Sequence, residues 1–257
     1  MTVDVNVYLG RWPFRRLKGD EPAALAAKLQ SHDVRTAWAG SFDAVLHRDL
    51  AAVNARLADD CTRHGKGWLL PFGAVNPLWP FWEEDLRRCH EQHHMPGLRL
   101  FPAWHGYTLD LPAFAALLKA ASERGLVVQL VLKLEDERTL HPLLRLEPVN
   151  PAPLLVLVAG LPRLNLVLLN HAGVVSPELL RKLTEAGQVY ADLATVEGLG
   201  GVARLLKTVP ASRLLFGSHY PFFYLESALL KLREAGLEPA QERAIRSGNA
   251  QRLLRVP

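Results

Sequence analysis

The chain has 257 residues, 49% of them hydrophobic and 22% charged, with a formal net charge of +4. This length suits one large α/β domain with a sizeable core, and arginines scattered along the chain without a concentrated stripe argue against a nucleic-acid partner. No signal peptide and no apolar run of membrane-spanning length is visible, so the expectation is a cytoplasmic protein with no membrane partner.

The opening ten residues predict a strand with one marked face. Val3, Val5, Val7 and Leu9 share one side and Asp4, Asn6 and Tyr8 the other, because strand side chains alternate. Glu21 to Gln30 reads as a helix with Asp20 as N-cap and Pro22 in its first turn. A strand over Val34 to Ala39 precedes a long helical pattern from Ala44 to His64. Trp68 to Ala74 is a third strand, followed by a helix from about Trp79 to Gln92. Leu98 to Phe101 is strand, Leu111 to Arg124 amphipathic helix, and Leu126 to Leu132 an apolar fifth strand. Residues 137–160 read as helix interrupted by prolines. Leu164 to Leu169 is strand, and Ser176-Pro177-Glu178 starts a helix with serine as cap. Val189 to Leu193 is strand, Leu199 to Lys207 helix, and Arg213 to Phe216 an eighth strand. Helices over Phe223 to Ala235 and Pro239 to Leu254 close the chain. Cys61 and Cys89 fall in helical stretches and read as buried thiols of a reducing compartment.

Eight short apolar strands, each followed by a helix, imply a parallel sheet covered on both faces. Without a linker, residues 1–257 read as one domain, a single (β/α)8 TIM barrel. An open doubly wound sheet would carry a glycine-rich phosphate turn after its first strand, and Gly10 stands alone there.

Barrel chemistry sits at the C-terminal strand ends. His171 and His219 stand directly after apolar strands beside small residues and are the candidate catalytic pair, acting as general acid or base. Asn6, Tyr8, Trp12, Arg15, Arg99, His105, Lys133 and Asp192 are the candidate substrate-binding residues. Arg15, Arg99 or Lys133 would hold an anion, and Tyr8 could donate to an oxyanion. Asp4 and Arg99 lie mid-strand, where they could instead neutralise each other across the barrel floor.

Several strand-end segments together resemble the amidohydrolase superfamily, in particular its amidohydrolase 2 branch of metal-dependent hydrolases and decarboxylases. These are residues 3–10, Pro71-Phe72-Gly73-Ala74-Val75-Asn76-Pro77, Gly97-Leu98-Arg99-Leu100-Phe101-Pro102, Asn170-His171-Ala172-Gly173, Phe216-Gly217-Ser218-His219-Tyr220-Pro221 and Gly248-Asn249-Ala250. The resemblance implies the metal-dependent hydrolase type of barrel and a divalent metal, usually zinc, held by histidines and an aspartate. Carried over position by position, those ligands become Asn6, Tyr8, Val131, His171 and His219, and only the strand-six histidine is retained. No metal ligand and no cofactor is therefore predicted.

The first expectation is a metal-free hydrolase or decarboxylase acting on a small anionic organic molecule. The alternatives are a catalytically inactive relative kept for ligand binding or scaffolding, and a metalloenzyme with a site rebuilt around His171 and His219. A catalytic pair should share one pocket, whereas a scaffold should fill its mouth with aromatic side chains such as Trp12, Phe14, Trp104 and Tyr220. The expected partner is a small-molecule ligand, and assembly into a homo-oligomer through the outer helices stays open.

Overall fold

The strand β1 (Thr2–Leu9) is buried along its whole length, although every second side chain on one face is polar. That pattern requires cover on both sides. In the computed structural model, which describes residues 1–254 apart from Glu137, Pro142 and Arg145, the cover is a barrel. β1 is joined by β2 (Val34–Ser41), β3 (Leu69–Gly73), β4 (Gly97–Leu100), β5 (Val127–Val131), β6 (Leu166–Leu169), β7 (Val189–Asp192) and β8 (Leu214–Leu215). They pair in parallel in sequence order from β1 to β8. The ring closes where the Val5 N–H donates to the Phe216 carbonyl (3.0 Å) and the Tyr8 N–H to the Tyr220 carbonyl (3.0 Å). The fold is a single (β/α)8 barrel.

Between strands run α1 (Pro22–Ser31), α2 (Asp43–Leu46), α3 (Leu50–Gly65), α4 (Trp82–Arg87), α5 (Pro102–His105), α6 (Pro112–Glu123), α7 (Leu154–Gly160), α8 (Pro177–Ala186) and α9 (Gly201–Leu205). After β8 come α10 (Leu225–Glu234), α11 (Pro239–Arg243) and α12 (Asn249–Leu254). No helix among the described residues is long and apolar enough to cross a membrane. Cys61 and Cys89 are free and buried.

The alternation along the strands builds two apolar layers. Leu98, Leu100, Val128, Leu130, Leu166 and Leu168 face the helices. Trp38, Phe72, Val127, Val131, Val167 and Leu169 belong to the second cluster. At the barrel centre stands Arg99, fully buried. Its Nη1 donates to the Val7 carbonyl (2.7 Å), Nη2 to those of Val5 (3.1 Å) and Trp38 (2.9 Å), and Nε to Gln129 Oε1 (2.8 Å). The guanidinium lies 4.5 Å from the Tyr8 ring centroid, within cation–π range. Gly40 makes room for it, since a Cβ there would fall 2.6 Å from Arg99 Cδ.

Asp4 and Arg99 form no ion pair; Asp4 Oδ1 instead accepts from the Asn6 N–H (3.1 Å) and the Ser218 N–H (3.0 Å). The register of β1 against β2 slips between Asp4 and Val7. Such an irregularity releases main-chain groups from the ladder, and the Val5 carbonyl is left for Arg99 and for Gln129 Nε2 (2.6 Å).

Several helix boundaries differ from the sequence expectation. The long helix from Ala44 breaks into α2 and α3 because Asp49 caps the second, accepting from the Ala52 N–H at 2.9 Å. Asp20 caps nothing; it receives Arg16 (2.9 Å) and the Leu17 N–H (3.4 Å), and Glu21 takes the N-cap position of α1. Of the helix expected over 137–160 only α7 forms, while residues 137, 142 and 145 lie outside the described set. The prolines end helical geometry.

Candidate functional site

At the end of β6 the backbone turns left-handed, with Asn170 at φ 57°. Alternation along β6 would aim His171 into the barrel beside Val167 and Leu169. The left-handed residue reverses the parity, so Asn170 points inward and His171 lines a crevice with α8 and α9 residues. His219 also adopts positive φ, at 58°. Its ring lies against Tyr8 (centroids 5.6 Å apart) and Phe222 (5.0 Å).

The inward groups form a hydrogen-bonded cluster in which Asn6 Oδ1 alone of the Asn6 amide atoms has no partner among the described residues. Asn6 Nδ2 donates to Asn170 Oδ1 (2.9 Å) and Asp192 Oδ2 (2.7 Å). The Asn170 N–H donates to Asp192 Oδ1 (2.8 Å), and Asn170 Nδ2 to the Lys133 carbonyl (2.6 Å). His219 Nε2 donates to the Leu134 carbonyl at 2.6 Å. Burial pushes the Asp192 carboxyl up to about 6 against the pull of the Asn6 and Asn170 hydrogen bonds. Burial likewise drives the His219 imidazole down to about 3 and His171 to about 4, so both rings are neutral at pH 7.

Gly217 is built into this cluster. A Cβ there would stand 2.6 Å from Asp192 Oδ2 and 3.1 Å from Asn6 Cβ. Gly217→Ala should therefore cost about 1–3 kcal/mol of stability through overpacking; an unchanged urea midpoint would show that the cluster yields freely.

Above it sits an aromatic cap. Tyr8 stacks on Phe42, with centroids 4.9 Å apart and planes 6° from parallel. Trp12, only 2% exposed, packs against Phe14 (5.3 Å), Phe42 (5.4 Å), Trp104 (5.4 Å) and Phe222 (5.0 Å). Arg15 lies 5.6 Å from the Phe222 centroid and is ion-paired with the buried Glu135. His105 is turned away from the barrel axis, with Nε2 hydrogen-bonded to the Ala44 carbonyl (2.8 Å), and burial lowers its pKa.

Beside the cap lies a cavity of about 470 Å³, within the range of small-molecule sites. Lys133, Glu135, Arg138, Thr195, Glu197 and His219 line it. Arg138 Nη2 meets Asp136 at 2.5 Å and holds that carboxyl down to about 2.

Ten residues were singled out from the sequence. Lys133 and His219 line this cavity, Asn6 and Asp192 form the cluster, Tyr8 and Trp12 belong to the cap, and Arg15 reaches the cavity through Glu135. Arg99 has its donors committed at the barrel centre, and His171 lines a separate crevice. Glu135, Arg138, Thr195 and Glu197 escaped the sequence reading because they stand on loops past β5 and β7. Their position just after strand ends was the available signal.

The donor set fits a zinc centre poorly. Of the five positions that the resemblance assigns to ligands, two carry imidazole, and those two line different cavities. His219 commits Nε2 to a carbonyl, whereas catalytic zinc takes three protein ligands. Among the described residues no three His, Cys, Asp or Glu side chains converge as metal ligands would.

Fold and site define a parallel α/β barrel with a cavity of about 470 Å³ at its C-terminal strand ends. The chain belongs to the amidohydrolase family described by the model Amidohydro_2, which matches residues 4–256. Solved structures with the same fold include 2,6-dihydroxybenzoate decarboxylase from Rhizobium, at 16% identity and TM-score 0.74, covering 98% of each chain. Another is 5-carboxyvanillate decarboxylase from Sphingomonas paucimobilis, at 14% identity and TM-score 0.75, covering 100% of this chain and 99% of that one. A third is the Metarhizium anisopliae IDCase, at 17% identity and TM-score 0.75, covering 99% and 97%. At these identities the likeness establishes the fold. No curated protein matches the sequence.

Proposed function

We propose that this chain is a metal-independent member of its family that binds a small hydroxylated organic acid in the cavity beside His219, without activating water there. The observation that carries this reading is the commitment of the donors at the floor of the mouth. Of the positions that the resemblance assigns to ligands, Asn6 spends both amide hydrogens on Asn170 and Asp192, and His219 is a neutral ring hydrogen-bonded to a carbonyl. A ring held near 3 transfers no proton efficiently at pH 7. The aromatic cap around Trp12 favours a binding barrel over a catalytic one.

The ligand class follows from the lining. Lys133, and Arg138 through the N–H groups that Asp136 leaves, bring positive charge to a cavity that Glu135, Asp136 and Glu197 also line. Thr195, Glu135 and Glu197 offer oxygen acceptors for hydroxyl groups. The solved structures named for decarboxylation of hydroxylated aromatic acids agree with this class.

The test is metal content by elemental analysis after supply of zinc or manganese, with salicylate titrated by calorimetry and followed for turnover. The expected result is no stoichiometric metal, no turnover, and saturable salicylate binding that weakens about tenfold in Arg138→Ala. Near-stoichiometric metal that disappears in His219→Ala, or steady decarboxylation, would overturn the reading.

A further inference from the structure

The segment between β1 and α1 is tied to the rest of the barrel at few points. Residues 11–18 run between Gly10 and Gly19, both in the left-handed region at φ 86° and 87°, which glycine adopts without steric cost. Among the described residues one hydrogen bond joins the main chain of 11–18 to another element, from Tyr220 Oη to the Lys18 carbonyl at 3.3 Å. The ion pairs of Arg11 and Arg16 run back to Asp20 and Glu21 at the segment's own foot. Among the described residues Arg15 alone pairs elsewhere, with Glu135 beyond β5. A glycine at each end and one side-chain latch are the parts of a hinged lid.

The lid carries Trp12, which is 2% exposed. Its ring sits among Phe42, Trp104 and Phe222, at 5.4, 5.4 and 5.0 Å, with planes 58°, 82° and 72° from its own. Such tilted and edge-to-face contacts are favourable for any flat aromatic ring. The three walls stand on the loops after β2, β4 and β8, so they remain in place when the lid moves. Trp12 fills them imperfectly, because its Nε1 is buried without a hydrogen-bond partner among the described residues and an unmet donor opposes burial.

We propose that these walls form a seat for an uncharged flat aromatic ligand of indole size, that Trp12 occupies the seat in the closed state, and that residues 11–18 vacate it when the Arg15–Glu135 pair breaks. Trp12 itself sets the size. The three walls carry no charge, and Arg15, which lies 5.6 Å from the Phe222 centroid, leaves with the lid. None of the three lines the cavity beside His219, so the seat does not depend on the acid proposed there.

Indole is the probe, titrated by calorimetry into the intact chain, with tryptic cleavage after Arg16 reporting on the lid. Indole should bind the unmodified protein saturably and speed that cut over the same concentration range, because the ligand and the closed lid compete for one seat. Cleavage at other sites should not change. Arg15→Gln removes the latch; it should bind indole about tenfold more tightly and be cut after Arg16 about tenfold faster, since the closed state no longer reduces the competent fraction. Trp12→Ala should bind indole more tightly still. Urea midpoints check that both variants are folded, and the indole-driven cut in the unmodified protein stands without them. Indole binding that leaves the cut unchanged would place the ligand elsewhere, and equal affinity in a folded Arg15→Gln would mean that the pair is no latch. Either result, or no saturable binding, overturns the proposal.

Discussion

Arg99→Met is expected to destabilise the barrel by about 4 kcal/mol or more, close to the whole stability of a domain of modest reserve. The guanidinium supplies hydrogen bonds to three main-chain carbonyls, those of Val5, Val7 and Trp38, and to Gln129 Oε1. All of these lie in the barrel interior, where an acceptor without a donor costs about 1–3 kcal/mol. Methionine fills part of the volume and satisfies none of them. Arg99→Lys should rescue little, because a point ammonium cannot reproduce a planar fork spread over β1, β2 and β5. Urea unfolding measures both variants. A methionine variant within about 1 kcal/mol of the original would show that the carbonyls find other donors and that Arg99 is not the strut we describe.

The second large effect concerns Asp4. It is fully buried, and burial pushes its carboxyl up to about 7 against hydrogen bonds from Ser218 and Asn6. Its Oδ2 has no hydrogen-bond partner among the described residues, so nothing there stabilises a charge on it. Between the ordinary carboxylate value and pH 7 the folded chain holds a proton that the unfolded chain has lost. Stability from this group is therefore full below the ordinary value and declines as pH rises through about 7. Asp4→Asn keeps the accepting oxygen for both N–H donors and cannot ionise. It should match the original near pH 4 and exceed it by about 4 kcal/mol at pH 8, at about 1.4 kcal/mol per pH unit of separation.

The difference between the two proteins is the quantity to measure. In the original chain His171 and His219 act in the opposite sense: burial lowers both, to about 4 and about 3, so the unfolded state binds their protons first and stability rises with pH up to about 6.5. Those slopes mask the Asp4 and Asp192 contributions in a single curve and cancel in the comparison. A difference that stays flat from pH 4 to pH 8 would mean that Asp4 is ionised in the folded state.

The eight strands were legible in the sequence, because a buried parallel strand shows as a short apolar run between helical periods. Tyr8, Asn6 and Asp192 were legible for a related reason, since a polar side chain inside such a run must meet others like it. The mouth cavity was legible only in part. Lys133 and His219 come shortly after strands, whereas Glu135 stands further along the loop past β5 and Arg138 within the stretch 137–160 that reads as helix. The Asp4–Arg99 ion pair was a reasonable reading of two opposite charges at mid-strand. It fails because the irregular register of β1 offers Arg99 carbonyls and offers Asp4 main-chain N–H groups.

The sequence by itself therefore determined the barrel and the family, because both rest on periodicity and on short motifs, which are properties of neighbouring residues. Only the tertiary structure decided which way the chemistry-bearing side chains point. The left-handed turn at Asn170 exchanges the directions of Asn170 and His171, and the partners that make Asn170 fit inside, Asn6 and Asp192, are 164 and 22 positions away. Alternation is a local rule, and one residue of opposite backbone hand, favoured by distant hydrogen bonds, is enough to reverse it.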